Sequence, residues 1–178
     1  MKTRLQHLAI CLCVALIVSC AKNPVSIDDT AIADQQRTDS WLAYGRTHSE
    51  TRFSPLAEIN VDTIESLGVA WYLDLPNDVG LTGTPLVVDG VLYFSGTMNV
   101  IRAVDAVSGE LLWEYDPQVA NEVAGYKQAG WVHSRGLSFY DNKLLAATWD
   151  GRLLALDAQS GELIWSTRTF GLDQALYI

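Results

Sequence analysis

The sequence predicts an all-β fold assembled from repeated four-stranded units, and three observations carry that prediction. A long segment recurs at a fixed spacing. Tight-turn dipeptides separate short apolar runs. A tryptophan closes each repeat at the same position.

The repeat is the strongest of the three. Val91 to Trp113 (VLYFSGTMNVIRAVDAVSGELLW) aligns without a gap on Lys143 to Trp165 (KLLAATWDGRLLALDAQSGELIW), at an offset of 52 residues. Ala103, Asp105, Ala106, Ser108, Gly109, Glu110, Leu111 and Trp113 recur as Ala155, Asp157, Ala158, Ser160, Gly161, Glu162, Leu163 and Trp165. A fixed period of this size marks a solenoid, a propeller or an array.

Within each unit the pattern reads as strand, turn, strand. Leu86-Val87-Val88, Asp89-Gly90 and Val91 to Phe94 form one such series, and Phe139-Tyr140, Asp141-Asn142 and Lys143-Leu144-Leu145 form its counterpart. Asp-Gly and Asp-Asn suit the positive φ angles of a type I′ hairpin. A second hairpin is expected at the Asp-Ala-x-Ser-Gly-Glu segment. Its Asp and Ser can bond turn amides, and its Gly can take a left-handed conformation. The tryptophan that follows is large enough to cover a neighbouring sheet, with the small Ala103 or Ala155 leaving room for it. Four short strands joined to the next unit by one tryptophan make a propeller blade. A β-sandwich of duplicated halves is the lesser alternative, because it gives no reason for a tryptophan turn at blade spacing. Trp71, in Leu67 to Tyr72, reads as the tryptophan end of one further unit completed elsewhere. Two and a half blades cannot close a ring and would leave open sheet edges. The chain is therefore expected to be the N-terminal fragment of a longer product.

The first 20 residues are expected to stand apart from this fold. Lys2 and Arg4 form a basic start, and Leu8 to Val18 is an apolar run suited to an export signal and short for a bilayer span. The run ends in Ile17-Val18-Ser19-Cys20, which resembles the lipobox of bacterial lipoproteins. That resemblance implies acylation of Cys20 and cleavage before it. With Ala21 following, it also implies periplasmic anchoring at the outer membrane. All three cysteines (Cys11, Cys13 and Cys20) lie in this segment, so the rest of the chain holds no disulfide. Residues 21–40 are polar and lack sustained periodicity, and they are expected to form a tether with room for a short helix within it. The propeller portion is then 41–178. A net charge of −9 repels phosphate and argues against a nucleic-acid partner.

Several motifs carry a closer likeness. Trp41 to Asn60 (WLAYGRTHSETRFSPLAEIN), Leu67 to Trp71, Thr84 to Tyr93, Leu111 to Pro117, Ser134-Arg135-Gly136 and Trp149 to Ala158 together resemble the pyrroloquinoline-quinone-dependent alcohol dehydrogenases of the methanol and ethanol type. The likeness runs from Trp41 to the end. It implies an eight-bladed propeller of the tryptophan-docking type, of which this chain holds the first two to three blades. It also implies a periplasmic enzyme that oxidises alcohols or sugars by hydride transfer to the quinone. A calcium or lanthanide ion would assist, and a cytochrome c or membrane quinone would take the electrons.

The same likeness nominates cofactor-binding positions. An Arg before Gly contacts the quinone oxygens in this family, which here is Arg135. A guanidinium suits that role, since it carries a fixed positive charge toward oxygens that become anionic on reduction. Family members place adjacent cysteines six and five residues before that Arg, where this chain has Ala129 and Gly130. They also place a cofactor-bonding Glu two residues before the Thr-Pro dipeptide, where this chain has Thr82. Trp131 and His133 share the loop and could stack on or bond a flat ring. The metal ligands and the catalytic base are expected in later blades, so no catalytic or metal-binding residue is assigned here. The alternative is a non-enzymatic propeller lipoprotein, a scaffold of outer-membrane protein assembly, which shares the blades and the lipobox without a cofactor.

Overall fold

A computed structural model describes residues 26–122 and 134–171 of the chain. Two four-stranded antiparallel sheets account for the repeat. The first runs β1 (Leu86–Val88), β2 (Val91–Ser95), β3 (Ile101–Asp105) and β4 (Leu111–Tyr115). The second runs β5 (Ser138–Tyr140), β6 (Lys143–Ala147), β7 (Arg152–Asp157) and β8 (Leu163–Arg168). In both, spatial order follows chain order, as a blade requires. The short helix α2 (Val119–Glu122) follows the first sheet.

The local chemistry matches the turns expected from the sequence. Asp89 (φ 49°) and Gly90 (φ 80°) close β1 onto β2, while Asp141 (φ 47°) and Asn142 (φ 57°) close β5 onto β6. At the second hairpin the Asp105 carboxylate accepts the amides of Val107 (3.0 Å) and Ser108 (2.7 Å) and the Ser108 hydroxyl (2.9 Å). These bonds, the Ser108 amide first, hold the Asp105 carboxyl below its ordinary pKa. Asp157 repeats the same bonds with Gln159 and Ser160.

The tryptophans join one unit to the next. Trp71 Nε1 donates to the Ala106 carbonyl at 3.1 Å, and Trp113 Nε1 donates to the Ala158 carbonyl at 3.1 Å. Each indole lies against the turn glycine: a β-carbon on Gly109 or Gly161 would fall 2.6 Å from the ring. Trp71 thus stands to the turn of the first sheet as Trp113 stands to that of the second. Trp165 is 43 % exposed, in contrast to the half-buried Trp113.

The core lies between the sheets. Leu86, Tyr93, Ile101 and Ala103 of the first meet Phe139, Leu144, Leu156 and Ala158 of the second. The Tyr93 ring packs against Trp113 (6.0 Å between centroids) and Phe139 (5.8 Å), and its hydroxyl donates to the Ala158 carbonyl at 3.2 Å.

The segment expected as a tether differs from Ser26 onward. Asp28 caps the short helix α1 (Asp29–Ala33) by accepting the Ala31 amide at 2.9 Å. Ile27 (0 % exposed) and Ile32 (7 %) join the core, and the Asp141 amide donates to the Ile27 carbonyl at 2.8 Å. Two isoleucines five residues apart among polar neighbours give too little periodicity to be read as a packed element. They bury because blade edges offer apolar surface to cover. Arg46, itself buried, holds the end of this segment by donating to the carbonyls of Arg37 (2.9 Å) and Gln35 (3.0 Å).

Candidate functional site: a cavity where the two blades begin

The residues that lead into β1 and β5 run side by side. Thr84 and Gly136 form a parallel bridge, and the Thr82 hydroxyl donates to the Ser134 carbonyl at 3.1 Å. The approach leaves little room for a side chain at Gly83. A β-carbon on Gly83 would meet the Gly136 amide nitrogen at 3.0 Å and the Ser134 oxygen at 3.1 Å. Gly136 itself has φ 138°, a conformation that L side chains rarely adopt. Ser134 is buried, while Arg135 between it and Gly136 is exposed.

Arg135 lines a cavity of about 460 Å³ together with Tyr44, Asn99, Trp149, Leu153 and its neighbours from Ser134 to Ser138. That volume falls in the range of small-molecule sites. The cavity sits at the sheet ends where β5 begins and β6 finishes, opposite the Asp141-Asn142 hairpin.

Asn99 builds one wall. It is buried with φ 59°, accepts the Trp149 amide on its side-chain oxygen at 2.9 Å, and donates to the Ala147 carbonyl at 3.3 Å. A loop of the first blade thereby fixes the Trp149 backbone in the second. The Trp149 loop is also held from below. Buried Asp150 accepts the Thr148 hydroxyl and pairs with Arg152 at 2.6 Å, and Arg152 donates onward to the Pro117 carbonyl at 2.7 Å. On the first blade, Asp78 accepts the Thr97 amide and pairs with Arg102 at 2.9 Å, and Arg102 also pairs with Glu114 at 2.7 Å. This fixes the turn from which Asn99 projects. Tyr44 is steadied by the Arg52 guanidinium, 4.5 Å from its ring centroid.

A fixed cation, an indole and open volume in one place suit an anionic, flat ring system. No ion pair to Arg135 occurs among the described residues, so the charge faces the cavity without a described carboxylate to neutralise it. No group of three or more His, Cys, Asp or Glu that could hold a metal ion occurs among them either.

Of the sequence-nominated residues, Arg135 lines the cavity and Thr82 does not; Thr82 stands on the neighbouring lead-in segment. Thr82 meets the Ser134 backbone. Ala129, Gly130, Trp131, His133 and Cys20 lie outside the described residues. Sequence reasoning missed Asn99 as a wall of the cavity. A signal existed: at the repeat offset, Asn99 stands where the second unit has Gly151, and both take positive φ (59° and 84°). An Asn in a glycine position marks a left-handed turn with a side-chain amide to spare.

Comparison with known proteins agrees with this architecture. The chain is 44 % identical over 161 residues to the quinohemoprotein alcohol dehydrogenase ADH IIB of Pseudomonas putida, covering 87 % of this chain and 23 % of that protein. The solved quinohemoprotein alcohol dehydrogenase of Comamonas testosteroni superposes with a TM-score of 0.75 at 39 % identity, over 81 % of this chain and 22 % of that one. A europium-containing methanol dehydrogenase superposes with a TM-score of 0.69 at 28 % identity, over 81 % of this chain and 25 % of that one. The chain thus spans about a quarter of the length of the proteins it matches. The family described as PQQ, glucose/ethanol/alcohol dehydrogenase, β-propeller domain, matches residues 41–175. With two tryptophan-joined blades and that match over most of its length, the chain belongs to the β-propeller family of PQQ-dependent alcohol dehydrogenases.

Proposed function

We propose that this chain is the N-terminal part of a periplasmic quinoprotein dehydrogenase that oxidises alcohols or sugars. The observation that carries the reading is Arg135, an exposed cation in a cavity at the blade ends, set in a chain whose relatives are named as alcohol dehydrogenases. The chemistry that a bound pyrroloquinoline quinone would supply is a hydride acceptor for the substrate. Arg135 would hold its oxygens and offset their growing negative charge, which counts most where water is excluded. Trp149 would offer a ring face. Asn99, with its amide bonded to two backbone groups of the neighbouring blade, would keep that wall from shifting.

A calcium or lanthanide ion is part of the proposal, supported by the europium in the similar methanol dehydrogenase, with ligands expected beyond this chain. A cytochrome c or a membrane quinone is the proposed electron acceptor. A lipid anchor at Cys20 and a periplasmic position at the outer membrane are also part of the proposal, supported by the Ile17-Val18-Ser19-Cys20 sequence.

The test uses the full-length protein supplied with pyrroloquinoline quinone and either calcium or a lanthanide. Reduction of an artificial dye with primary alcohols or aldoses is expected. A protein that neither retains quinone nor reduces the dye with any of them would instead support the scaffold reading.

A further inference from the structure

We propose that Thr82 is a positioning residue for Arg135 and makes no contact with the cofactor itself. The inference rests on the reading of Arg135 as a quinone contact. A threonine hydroxyl has one hydrogen, and here it is given to the Ser134 carbonyl at 3.1 Å. The hydroxyl keeps only acceptor capacity, and Thr82 is not among the residues that line the cavity. What the bond does is fix the peptide on the N-terminal side of Arg135.

The C-terminal side is fixed by the same segment. Gly136 bridges Thr84, two residues beyond Thr82, and a β-carbon built on Gly83 between them would fall 3.0 Å from the Gly136 nitrogen and 3.1 Å from the Ser134 oxygen. The Arg135 backbone is therefore bracketed at both flanks by the lead-in of the preceding blade. Its side chain is exposed, and no described side chain pairs with it. Directional control over a long, flexible side chain must then come from its base, because every degree of freedom left open is lost on binding. Thr82 thus links two blades at the point where the charge is presented.

A double-mutant cycle in the full-length protein tests this, read as the affinity for pyrroloquinoline quinone by fluorescence titration. Thr82→Val, which keeps the shape and removes the hydroxyl, should weaken binding about threefold to tenfold, the effect of losing one neutral hydrogen bond. Thr82→Ser should restore it. In an Arg135→Ala background, Thr82→Val should change affinity by less than about twofold, since the group it positions is gone. Equal losses in both backgrounds would overturn the proposal and make Thr82 a direct contact. A second arm needs no quinone. In the cofactor-free protein, Thr82→Val should speed amide hydrogen exchange in the peptide holding Ser134 to Leu137, and Thr82→Ser should not. Unchanged exchange would overturn the clasp, whereas faster exchange in a protein that never binds quinone would leave the clasp standing and remove the cofactor reading alone.

Discussion

The indole of Trp113 lies against Gly161 of the following blade, so near that a β-carbon there would fall 2.6 Å from the ring. The contact is reinforced by the indole nitrogen, which donates to the Ala158 carbonyl at 3.1 Å. Trp71 and Gly109 stand in the same relation one unit earlier. One tryptophan therefore does two jobs: it covers a glycine that must be left-handed to make its turn, and it satisfies a carbonyl that the turn leaves open.

That relation predicts two different losses of stability. Trp113→Ala in the full-length protein should cost about 3 kcal/mol, the low end for a large aromatic because the ring is half-buried. Gly161→Ala should destabilise through both the clash with the indole and the φ of 73°. Denaturant unfolding of each variant measures both. A loss below about 0.5 kcal/mol for Trp113→Ala, typical of a surface substitution, would mean that the blades are joined by other contacts.

Tyr93 predicts an alkaline limit. Burial, with the charges of Asp89 and Asp157 adding to it, raises its pKa to about 12 from 10.0. A raised folded-state pKa means that stability is fully present below pH 10 and is lost as pH rises toward 12, because only the unfolded chain ionises in that window. The phenolate would also face the Ala158 carbonyl to which the hydroxyl now donates. Wild-type stability should therefore fall more steeply than that of Tyr93→Phe between pH 10 and 12, followed by thermal unfolding across that range. Parallel curves would contradict the assignment.

Much of this fold was legible because it repeats. The offset of 52 residues set the blades, the Asp-Gly and Asp-Asn pairs set the hairpins, and the position of Trp113 set the joint. These features are local, or recur, and a pattern can reveal them. The packing of Ile27 and Ile32 was not legible, since burial there depends on a blade edge more than 100 residues away, at Asp141. The cavity was half legible. Arg135 and Thr82 were found by likeness to a family, but the bond from Thr82 to Ser134 joins two segments whose adjacency exists only once the sheets stand side by side. Asn99 carried a clue in its alignment with Gly151, yet its partners, Ala147 and Trp149, follow from tertiary structure alone.

The proposed anchor predicts a simple cellular phenotype. Cys20→Ser should abolish incorporation of labelled palmitate and move the protein out of the membrane fraction, because each buried CH2 of an acyl chain contributes roughly 0.8 kcal/mol. Unchanged labelling and partition in that variant would show that membrane attachment has another source.

The central claim is that Arg135 presents its charge to a quinone at the blade ends. The most direct measurement is equilibrium titration of the full-length, cofactor-free protein with pyrroloquinoline quinone, comparing the wild type with Arg135→Ala and Arg135→Lys. Loss of one charged hydrogen bond, roughly 1.5–3 kcal/mol, predicts at least a tenfold weaker affinity for the alanine variant. Lysine should recover part of it, since it keeps the charge and loses the planar fork. Wild-type and Arg135→Ala proteins that bind the quinone with equal affinity would contradict the account.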